Sequence, residues 1–156
     1  ISTAIDWFGR AELVTATVRS LRGGADDDSV LVLQHESGVM SYLSASAVVG
    51  APGPRIRILG TKGALVISDL DPQEALLRAG KFPENGTWTH PTTSQAFLHR
   101  GDLVEEIESI PGNYGHFYKA IELAITTGAP WPIPNSDALL VAALIDQARE
   151  IGTRAH

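Results

Sequence analysis

The segment Ser29-Val-Leu-Val-Leu-Gln-His35 carries apolar side chains on both faces of an extended chain. A strand that is covered on both sides has this pattern, so we place the segment at the centre of a sheet. The next three residues, Glu36-Ser37-Gly38, predict a tight turn in which the glycine supplies the required backbone angles. Val39 to Ala47 then returns as the neighbouring strand. The centre of the fold is therefore predicted to be an antiparallel hairpin.

Further strands are predicted on either side of this hairpin. Glu12 to Leu21 alternates, and Val14, Ala16 and Val18 are expected to share its inner face. The other predicted strands are Pro54 to Gly60, Ala64 to Ser68, Gln95 to Arg100 and Leu103 to Glu108. Short turns separate the members of each pair, so we expect the sheet to be largely antiparallel.

The segment from Asp71 to Gly80 supports two interpretations. Asp71 as N-cap, Pro72 at the first helical position and Gly80 as the stop predict a short helix. Placed in a wide sheet, the same residues also fit an edge strand. Both interpretations stay open at the level of the sequence.

The last third of the chain changes to a helical period. Asn113 is predicted to cap a helix that ends at Gly128, with Phe117 and Ile121 on its apolar stripe. A second helix is predicted from Ser136 to Ile151, stopped by the glycine that follows. Its middle is apolar nearly all round, so we expect it to be deeply packed.

Together these elements predict one domain over residues 1–156 with an α+β fold. The expected architecture is a broad, mainly antiparallel (mixed) β-sheet with two C-terminal helices packed on one face. Two-sided apolar strands such as Val30 to Leu33 need a second cover. We therefore expect a homodimer or larger assembly formed through the open sheet face.

Composition limits the classes of function. The 156 residues are 44% hydrophobic and 19% charged, which is ordinary for a globular domain. The net charge is −6, which argues against the basic face that a nucleic-acid-binding protein requires. The sequence has no cysteine, which excludes disulfides and thiolate zinc sites. Its apolar stretches are too short to span a bilayer. We expect a cytoplasmic protein that binds neither nucleic acid nor membrane.

The sequence lacks the motifs of a self-sufficient active site. It contains no G-x-G-x-x-G, no G-x-x-x-x-G-K-[ST] and no H-E-x-x-H. None of its five histidines is spaced from another as a metal ligand pair on one element. His35 fits a hydrogen-bonded interior histidine, and Trp7, Phe117 and Tyr118 are expected in the core. We therefore expect no catalytic, cofactor-binding or metal-binding residue in this chain, which would form walls of a site instead.

Four segments stand in a distinctive order along the chain. They are Asp28-Ser-Val-Leu-Val-Leu-Gln-His-Glu-Ser-Gly38, Arg55-Ile-Arg-Ile-Leu-Gly-Thr-Lys-Gly-Ala-Leu65, Gly112-Asn-Tyr-Gly-His-Phe-Tyr-Lys-Ala-Ile121 and Gly128-Ala-Pro-Trp-Pro-Ile-Pro-Asn-Ser-Asp-Ala-Leu139. Their order and spacing resemble the C-terminal half of the glucose–fructose oxidoreductase, inositol dehydrogenase and MocA (Gfo/Idh/MocA) family.

This resemblance implies a two-domain enzyme. An N-terminal Rossmann domain, absent from this chain, would bind NAD or NADP and carry the catalytic lysine. The domain present here would cover a sugar, inositol or related polyol and form the dimer. The family's Asp-x-x-x-His pair usually lies on the helix just before this sheet. The stretch from Ile1 to Asp6 matches that region, with Thr3 near the expected histidine, which is either upstream or lost.

Five residues are candidates for substrate contact. Asn113, Tyr114 and His116 lie at a predicted helix start, where free N–H groups attract anions and hydroxyl-bearing ligands. Tyr42 is a polar side chain of the sheet, and Asp6 is a possible remnant of the motif helix. Side chains in these positions would orient the substrate's hydroxyl groups for hydride transfer.

Two other functions stay open. One is a non-catalytic family relative that senses or binds a sugar, which an upstream sequence without the lysine and the Asp/His pair would favour. The other is an unrelated binding or assembly domain, which an upstream sequence without a dinucleotide-binding motif would favour.

Overall fold

The computed structural model describes residues 1–69, 73–83, 96–108 and 112–154. The elements are α1 (Ser2–Phe8), β1 (Ala11–Arg19), β2 (Asp28–His35), β3 (Met40–Ser46), β4 (Ile56–Gly60), β5 (Gly63–Ile67), α2 (Gln73–Arg78), β6 (Ala96–Arg100), β7 (Leu103–Ile107), α3 (Tyr114–Thr127) and α4 (Asn135–Arg154). The chain divides into two compact units. The first unit contains Ile1–Gly50 and Ile133–His156, and the second unit contains Ala51–Pro132.

The first unit is built on a three-stranded antiparallel sheet with β2 at its centre, as the sequence predicts. Leu31, Leu33 and His35 are buried on one face of β2. Leu33 contacts Ile5 of α1 and Leu144 of α4, so both helices cover this same face. The side chains that alternate with them project from the opposite, outer face.

A β-bulge in β1 changes which residues point inward. Leu13 and Thr15 pair with consecutive residues of β2, so Val14 is an extra residue without a partner. The alternation therefore shifts by one position, and Leu13 joins the inner face with Ala16 and Val18. The prediction that Val14 lies inward was wrong, because simple alternation contains no signal for the extra residue.

Helix α4 packs on β1 through one narrow face. Leu144 and Ala148 are buried there, one helical turn apart. A Cβ atom at Gly152 would lie 2.8 Å from Cβ of Val18, so the close approach requires glycine. Gly152 therefore lies inside the helix and does not stop it. Leu139 is exposed, so the helix is not buried all round as predicted.

In the described part of the chain, no helix combines the length and apolar character needed to cross a membrane.

The second unit contains a four-stranded antiparallel sheet in the order β4-β5-β6-β7. Both predicted hairpins are present. The helical interpretation of the segment after β5 is confirmed for Gln73–Arg78. Gly80 adopts a left-handed conformation with φ 73° and its N–H donates to the Leu77 carbonyl, which ends this helix. The predicted cap and proline at positions 71 and 72 lie outside the described residues.

Helix α3 begins and ends where the sequence predicts. The Asn113 side chain caps its start, and Gly128 ends it in a left-handed conformation with φ 71°. Its buried residue is Ala124, whereas Phe117 and Tyr118 are exposed. The predictions that Phe117, Tyr118 and Trp7 belong to the core were wrong. Periodicity identified an apolar face on α3, but of its residues the described part of this chain buries Ala124 and leaves Phe117 exposed.

The α+β class is confirmed, with antiparallel strands and two C-terminal helices. The described strands form two hydrogen-bonded sheets, of three and four strands, in place of one broad ladder. No ladder joins β3 to β4 among the described residues, and the Gly/Pro-containing stretch between them lacks the pattern of a strand. Helix α4 covers the first sheet, and α3 belongs to the second unit.

Candidate functional site

The start of α3 is held by polar side chains of its own unit. Gln73, which is fully buried, accepts the Tyr114 N–H through Oε1 at 3.0 Å. Asn113 accepts the Gly115 N–H through Oδ1 at 2.9 Å, and its carbonyl accepts the His116 N–H at 3.1 Å. Three of the four amides that a helix normally leaves open are thus bonded within the chain. A ligand at this helix start would therefore meet side chains more readily than the amides that were predicted to attract it.

The side chains of the first turns of α3 form an exposed polar and aromatic surface. We call Tyr114, His116, Phe117 and Tyr118 the α3 surface; all four are exposed. The rings of Phe117 and Tyr118 meet edge to face, with 5.6 Å between their centroids. Phenol and imidazole groups both donate and accept hydrogen bonds, and aromatic rings bury apolar area. This combination suits a ligand that has hydroxyl groups and a C–H face.

The structure does not bring Asp6 and Tyr42 together. Asp6 is exposed on α1, which packs through Ile5 against Leu33 on the covered face of the first sheet. Tyr42 pairs with Val32, the neighbour of Leu33, so its side chain leaves the opposite face. It is 75% exposed there. The sheet therefore separates these two candidates, whereas Asn113, Tyr114 and His116 share one helix end.

His35 is a hydrogen-bonded interior residue, as the sequence predicts. Its Nδ1 lies 2.8 Å from the Gly9 carbonyl oxygen and its Nε2 lies 2.9 Å from Oγ of Ser41. A carbonyl only accepts, so Nδ1 donates, and Nε2 accepts from the Ser41 hydroxyl in the neutral ring. Ser37 adds a hydrogen bond from its Oγ to the Phe8 carbonyl at 2.8 Å. The β2–β3 hairpin is thereby attached to the end of α1.

A groove of about 380 Å³ lies between the start of β1 and α4. Leu140 and Leu144 form apolar parts of its wall, and Arg10 and Glu36 stand at its rim, with 3.9 Å between Arg10 Nε and Glu36 Oε1. The residues of this groove come from distant parts of the chain, so no local pattern in the sequence predicts it. Its charges are of both signs, so they do not select one class of ligand.

Asp26, Asp27 and Asp28 form a run of three aspartates, and Asp27 anchors the loop between β1 and β2. Oδ1 of Asp27 accepts the Leu21 N–H at 2.8 Å, and Oδ2 accepts Nε of Arg22 at 2.9 Å. These bonds, the Leu21 amide first, lower the pKa of Asp27 below its ordinary value of 3.8. The Arg19 guanidinium, 2.8 Å away through Nε, likewise lowers the pKa of Asp28. Within the described ranges, no three His, Asp or Glu side chains are grouped closely enough to hold a metal ion.

The chain matches the family model described as "Oxidoreductase family, C-terminal alpha/beta domain" over residues 1–151. It therefore belongs to this family, the Gfo/Idh/MocA oxidoreductases, and corresponds to their C-terminal domain. The predicted family membership is confirmed.

Two curated relatives illustrate the match. The chain is 30% identical over 156 residues to scyllo-inositol 2-dehydrogenase (NADP(+)) IolW of Bacillus subtilis, covering 96% of this chain and 44% of the relative. It is 27% identical over 151 residues to the oxidoreductase YhhX of Escherichia coli, covering 94% of this chain and 44% of the relative. The chain thus spans less than half the length of these relatives.

Solved structures show the same fold. The oxidoreductase yvaA of Bacillus subtilis superposes with a TM-score of 0.83 at 27% identity, over 99% of this chain and 47% of that one. An oxidoreductase of Bacteroides fragilis superposes with a TM-score of 0.78 at 32% identity, over 99% of this chain and 49% of that one. In both cases, the matched part is again about half of the longer protein.

Proposed function

We propose that this chain is the substrate-binding and assembly domain of an NAD(P)-dependent oxidoreductase that acts on a sugar, inositol or related polyol. The observation that carries the proposal is the family match over residues 1–151. The identity to an inositol dehydrogenase that uses NADP(+) supports the substrate class. In this proposal, residues 1–156 form one functional domain, and a Rossmann domain elsewhere in the full-length protein binds NAD or NADP.

The α3 surface supplies the substrate contacts in this proposal. Its first-turn amides are bonded to Gln73 and Asn113, so the backbone is fixed before any ligand binds. Tyr114 and His116 then hydrogen-bond substrate hydroxyls, and the ring of Tyr118 packs on the C–H face of the substrate. Holding the carbinol carbon in one orientation is the main contribution that a domain without a reactive group can make.

The chemistry divides between the two domains. A nicotinamide cofactor bound to the N-terminal domain would supply the acceptor for hydride from the carbinol carbon. A basic side chain takes the hydroxyl proton, and the family resemblance assigns that group to the N-terminal domain. The residues described here orient the substrate and limit its contact with water. No step in this proposal requires a metal ion or a cofactor bound to this domain by itself.

Tyr42 and Asp6 have different roles in this proposal. Tyr42 leaves the outer face of the first sheet beside the exposed Val30, which supports a role in self-assembly. Asp6 lies on the covered side with α1, the element that precedes the sheet. A substrate contact from Asp6 is compatible with its exposure, but Tyr42 and Asp6 cannot line one pocket within a single copy.

The full-length protein tests the proposal directly. We expect it to reduce NAD+ or NADP+ in the presence of inositols, monitored by absorbance of the reduced nicotinamide. We expect calorimetry on the isolated 156-residue chain to detect no NAD binding above background. Lack of oxidation by the full-length protein with any sugar, inositol or polyol offered, or micromolar binding of NAD to this chain alone, would contradict the proposal.

A further inference from the structure

Strand β1 forms an edge of the first sheet, and main-chain groups at its start point away from the sheet. The strand order is β1-β2-β3, and Ala11 of β1 lies opposite His35 of β2. The N–H of His35 donates to the Val39 carbonyl, and the carbonyl of His35 accepts the Gly38 N–H. Because both groups of His35 are bonded away from β1, Ala11 and His35 form a non-hydrogen-bonded pair. The N–H and C=O of Ala11 therefore point away from β2.

Leu13 repeats this arrangement two residues further along β1. It lies opposite Leu33, and the alternation of an antiparallel ladder makes this a second non-hydrogen-bonded pair. In the described part of the chain, no hydrogen bond is made by the outward main-chain groups of Ala11 or Leu13. Ala11 is nevertheless buried, with 6% of its surface exposed. Buried main-chain groups are nearly always paired, so this edge is suited to binding another extended chain.

Helix α4 forms an apolar wall beside this edge. Leu140 and Ala143 of α4 line the groove of about 380 Å³, together with Ala11 and Leu13 of the strand. Ala11 and Leu13 belong to the inner face that α4 covers, whereas Glu12 alternates with them and is exposed on the outer face. The side chains of a strand added beside β1 would divide between the same two faces. The groove thus combines open main-chain groups and an apolar wall in the arrangement that one further strand requires.

The charge next to this edge selects the central side chain of such a strand. Glu12 has no ion-pair partner among the described residues. Arg10 and Glu36, at the rim of the groove, offset each other across 3.9 Å. A cross-strand neighbour of Glu12 is favourable when it is Lys or Arg and unfavourable when it is Asp or Glu. The pattern apolar, basic, apolar therefore complements residues 11–13.

We propose that an extended segment of a partner protein, with the pattern apolar, Lys or Arg, apolar, adds to the first sheet as a fourth strand beside residues 11–13. Its main-chain N–H and C=O groups bond to those of Ala11 and Leu13, which is the usual mode of strand addition. Its two apolar side chains lie in the groove against Ala143 and Leu140. Its basic side chain pairs with Glu12 on the outer face.

A second copy of this chain does not fit the same edge. Two-fold pairing of β1 with its own copy around position 12 would place Glu12 beside Glu12, which is repulsive. The β-bulge at Val14 interrupts the regular edge directly after Leu13, so a longer ladder between two β1 strands is not available. Both features favour a different polypeptide as the occupant. The inference makes no use of the proposed redox activity, and its test contains neither nicotinamide nor polyol.

Three fluorescein-labelled peptides test the strand addition, with binding to the 156-residue chain measured by fluorescence anisotropy. The first peptide is Thr-Val-Lys-Val-Thr with blocked termini, the second has Glu in place of Lys, and the third is the lysine peptide methylated on both valine nitrogens. We expect the lysine peptide to bind about fivefold more tightly than the glutamate peptide, since its central side chain faces Glu12. The methylated peptide should bind at least about tenfold more weakly than the lysine peptide, because it lacks the N–H donors.

Substitutions in the groove locate the binding. Ala143→Phe places a ring against the proposed strand and should weaken the lysine peptide at least about tenfold. Ala142→Phe is the matched control, since Ala142 is exposed on the same helix outside the groove. Glu12→Lys should reverse the preference in favour of the glutamate peptide, whereas Glu150→Lys, at another exposed position, should leave it unchanged. Circular dichroism checks that every variant is folded, and the comparison of the three peptides needs no variant.

Several results would overturn the proposal. These are no saturable binding of the lysine peptide at millimolar concentration, equal binding of the methylated peptide, equal effects of Ala143→Phe and Ala142→Phe, or an unchanged preference in Glu12→Lys. Binding to the 156-residue chain that is absent from the full-length protein would show that another segment of the same polypeptide occupies the edge. A dimer that the lysine peptide dissociates in sedimentation velocity would assign the edge to a second copy. Either result also overturns a separate partner, whereas missing dehydrogenase activity affects only the proposed function.

Discussion

Gln73 and Tyr114 are joined across 41 positions of the sequence by a hydrogen bond of 3.0 Å from the Tyr114 amide to Oε1 of the buried glutamine. Gln73 begins α2 and Tyr114 begins α3. The bond fixes the start of α3, and with it the side chains proposed to contact substrate.

Removal of this side chain should therefore destabilise the second unit. Gln73→Ala leaves the Tyr114 amide without this acceptor, and we expect a loss of about 1–3 kcal/mol in the free energy of unfolding. Urea denaturation followed by circular dichroism measures it. Gln147→Ala on the exposed side of α4 is the matched control, with an expected change of at most about 0.5 kcal/mol. Equal effects of the two substitutions would contradict the structural role of Gln73.

Two serines of β3 offer a second comparison. Ser41 is buried against Nε2 of His35, whereas Ser44 is exposed on the outer face. Ser41→Ala removes the hydroxyl donor and leaves a buried ring nitrogen without it, so we expect a loss of about 1–2 kcal/mol. Ser44→Ala should be nearly neutral. A thermal or urea melt of both variants checks the difference, and an equally mild result at Ser41 would show that the His35 network adds little stability.

Substitution of Gly152 tests the close packing between α4 and β1. Its Cβ would approach Cβ and the backbone nitrogen of Val18 to 2.8 and 3.0 Å, and neither atom can move without shifting the strand. Gly152→Ala should therefore destabilise by about 1–3 kcal/mol, although alanine favours a helix more than glycine does. Gly50→Ala has open space around the new methyl group and should be tolerated. A stabilised Gly152→Ala variant in differential scanning calorimetry would contradict the observed packing.

The bonds that Asp27 accepts in the loop between β1 and β2 predict that stability depends on pH. Hydrogen bonds to the ionised form hold the pKa of Asp27 below 3.8, so this stabilisation is present above that value and is lost as pH falls through the lowered pKa. Asp27→Asn should therefore be less stable than wild type at pH 7, and the difference should shrink in acid. Urea melts of both proteins between neutral and strongly acidic pH measure the difference. A difference that stays constant over that range would show that ionisation of Asp27 is not involved.

The α3 surface predicts the kinetic effects of three substitutions in the full-length protein. Tyr114→Phe removes the phenol hydroxyl, and His116→Gln replaces the imidazole with an amide whose donor and acceptor lie in different positions. Both leave the backbone bonds that hold the helix start unchanged. We expect each to lower kcat/KM for the polyol about 3- to 10-fold, equivalent to loss of about 1 kcal/mol of binding. Lys119→Gln on the same helix is the control for an unrelated polar change. Unchanged kinetics for both Tyr114→Phe and His116→Gln would exclude this end of α3 as the substrate contact.

The sequence predicted the elements well where local signals were strong. The hairpins around Gly38 and Gly63, the Asn113 cap and the end of α3 at Gly128 each depend on one residue with a specific backbone or hydrogen-bonding role. The family resemblance drew on four such segments together, and the match over residues 1–151 confirmed it.

The errors came from features that depend on distant partners. The bulge at Val14 becomes visible only when β1 is paired with β2. Gly152 was predicted to stop α4, but its role comes from the approach of Val18, a residue far away in the sequence. Phe117 lies on the expected apolar face, yet 44% of it remains exposed. Periodicity shows which side of a helix is apolar, but it does not show what covers that side.

The internal bonding at the start of α3 also affects how such a domain can diversify. Gln73 and Asn113 keep the helix in place through main-chain contacts, which do not depend on the chemistry of the exposed side chains next to them. In the proposed role of the α3 surface, substitutions at Tyr114, His116 or Tyr118 would therefore alter ligand preference at little risk to folding. The backbone that holds the helix and the side chains proposed to bind substrate are thus separate parts of the domain, so under the proposed function one fold could be adapted to many polyhydroxylated compounds.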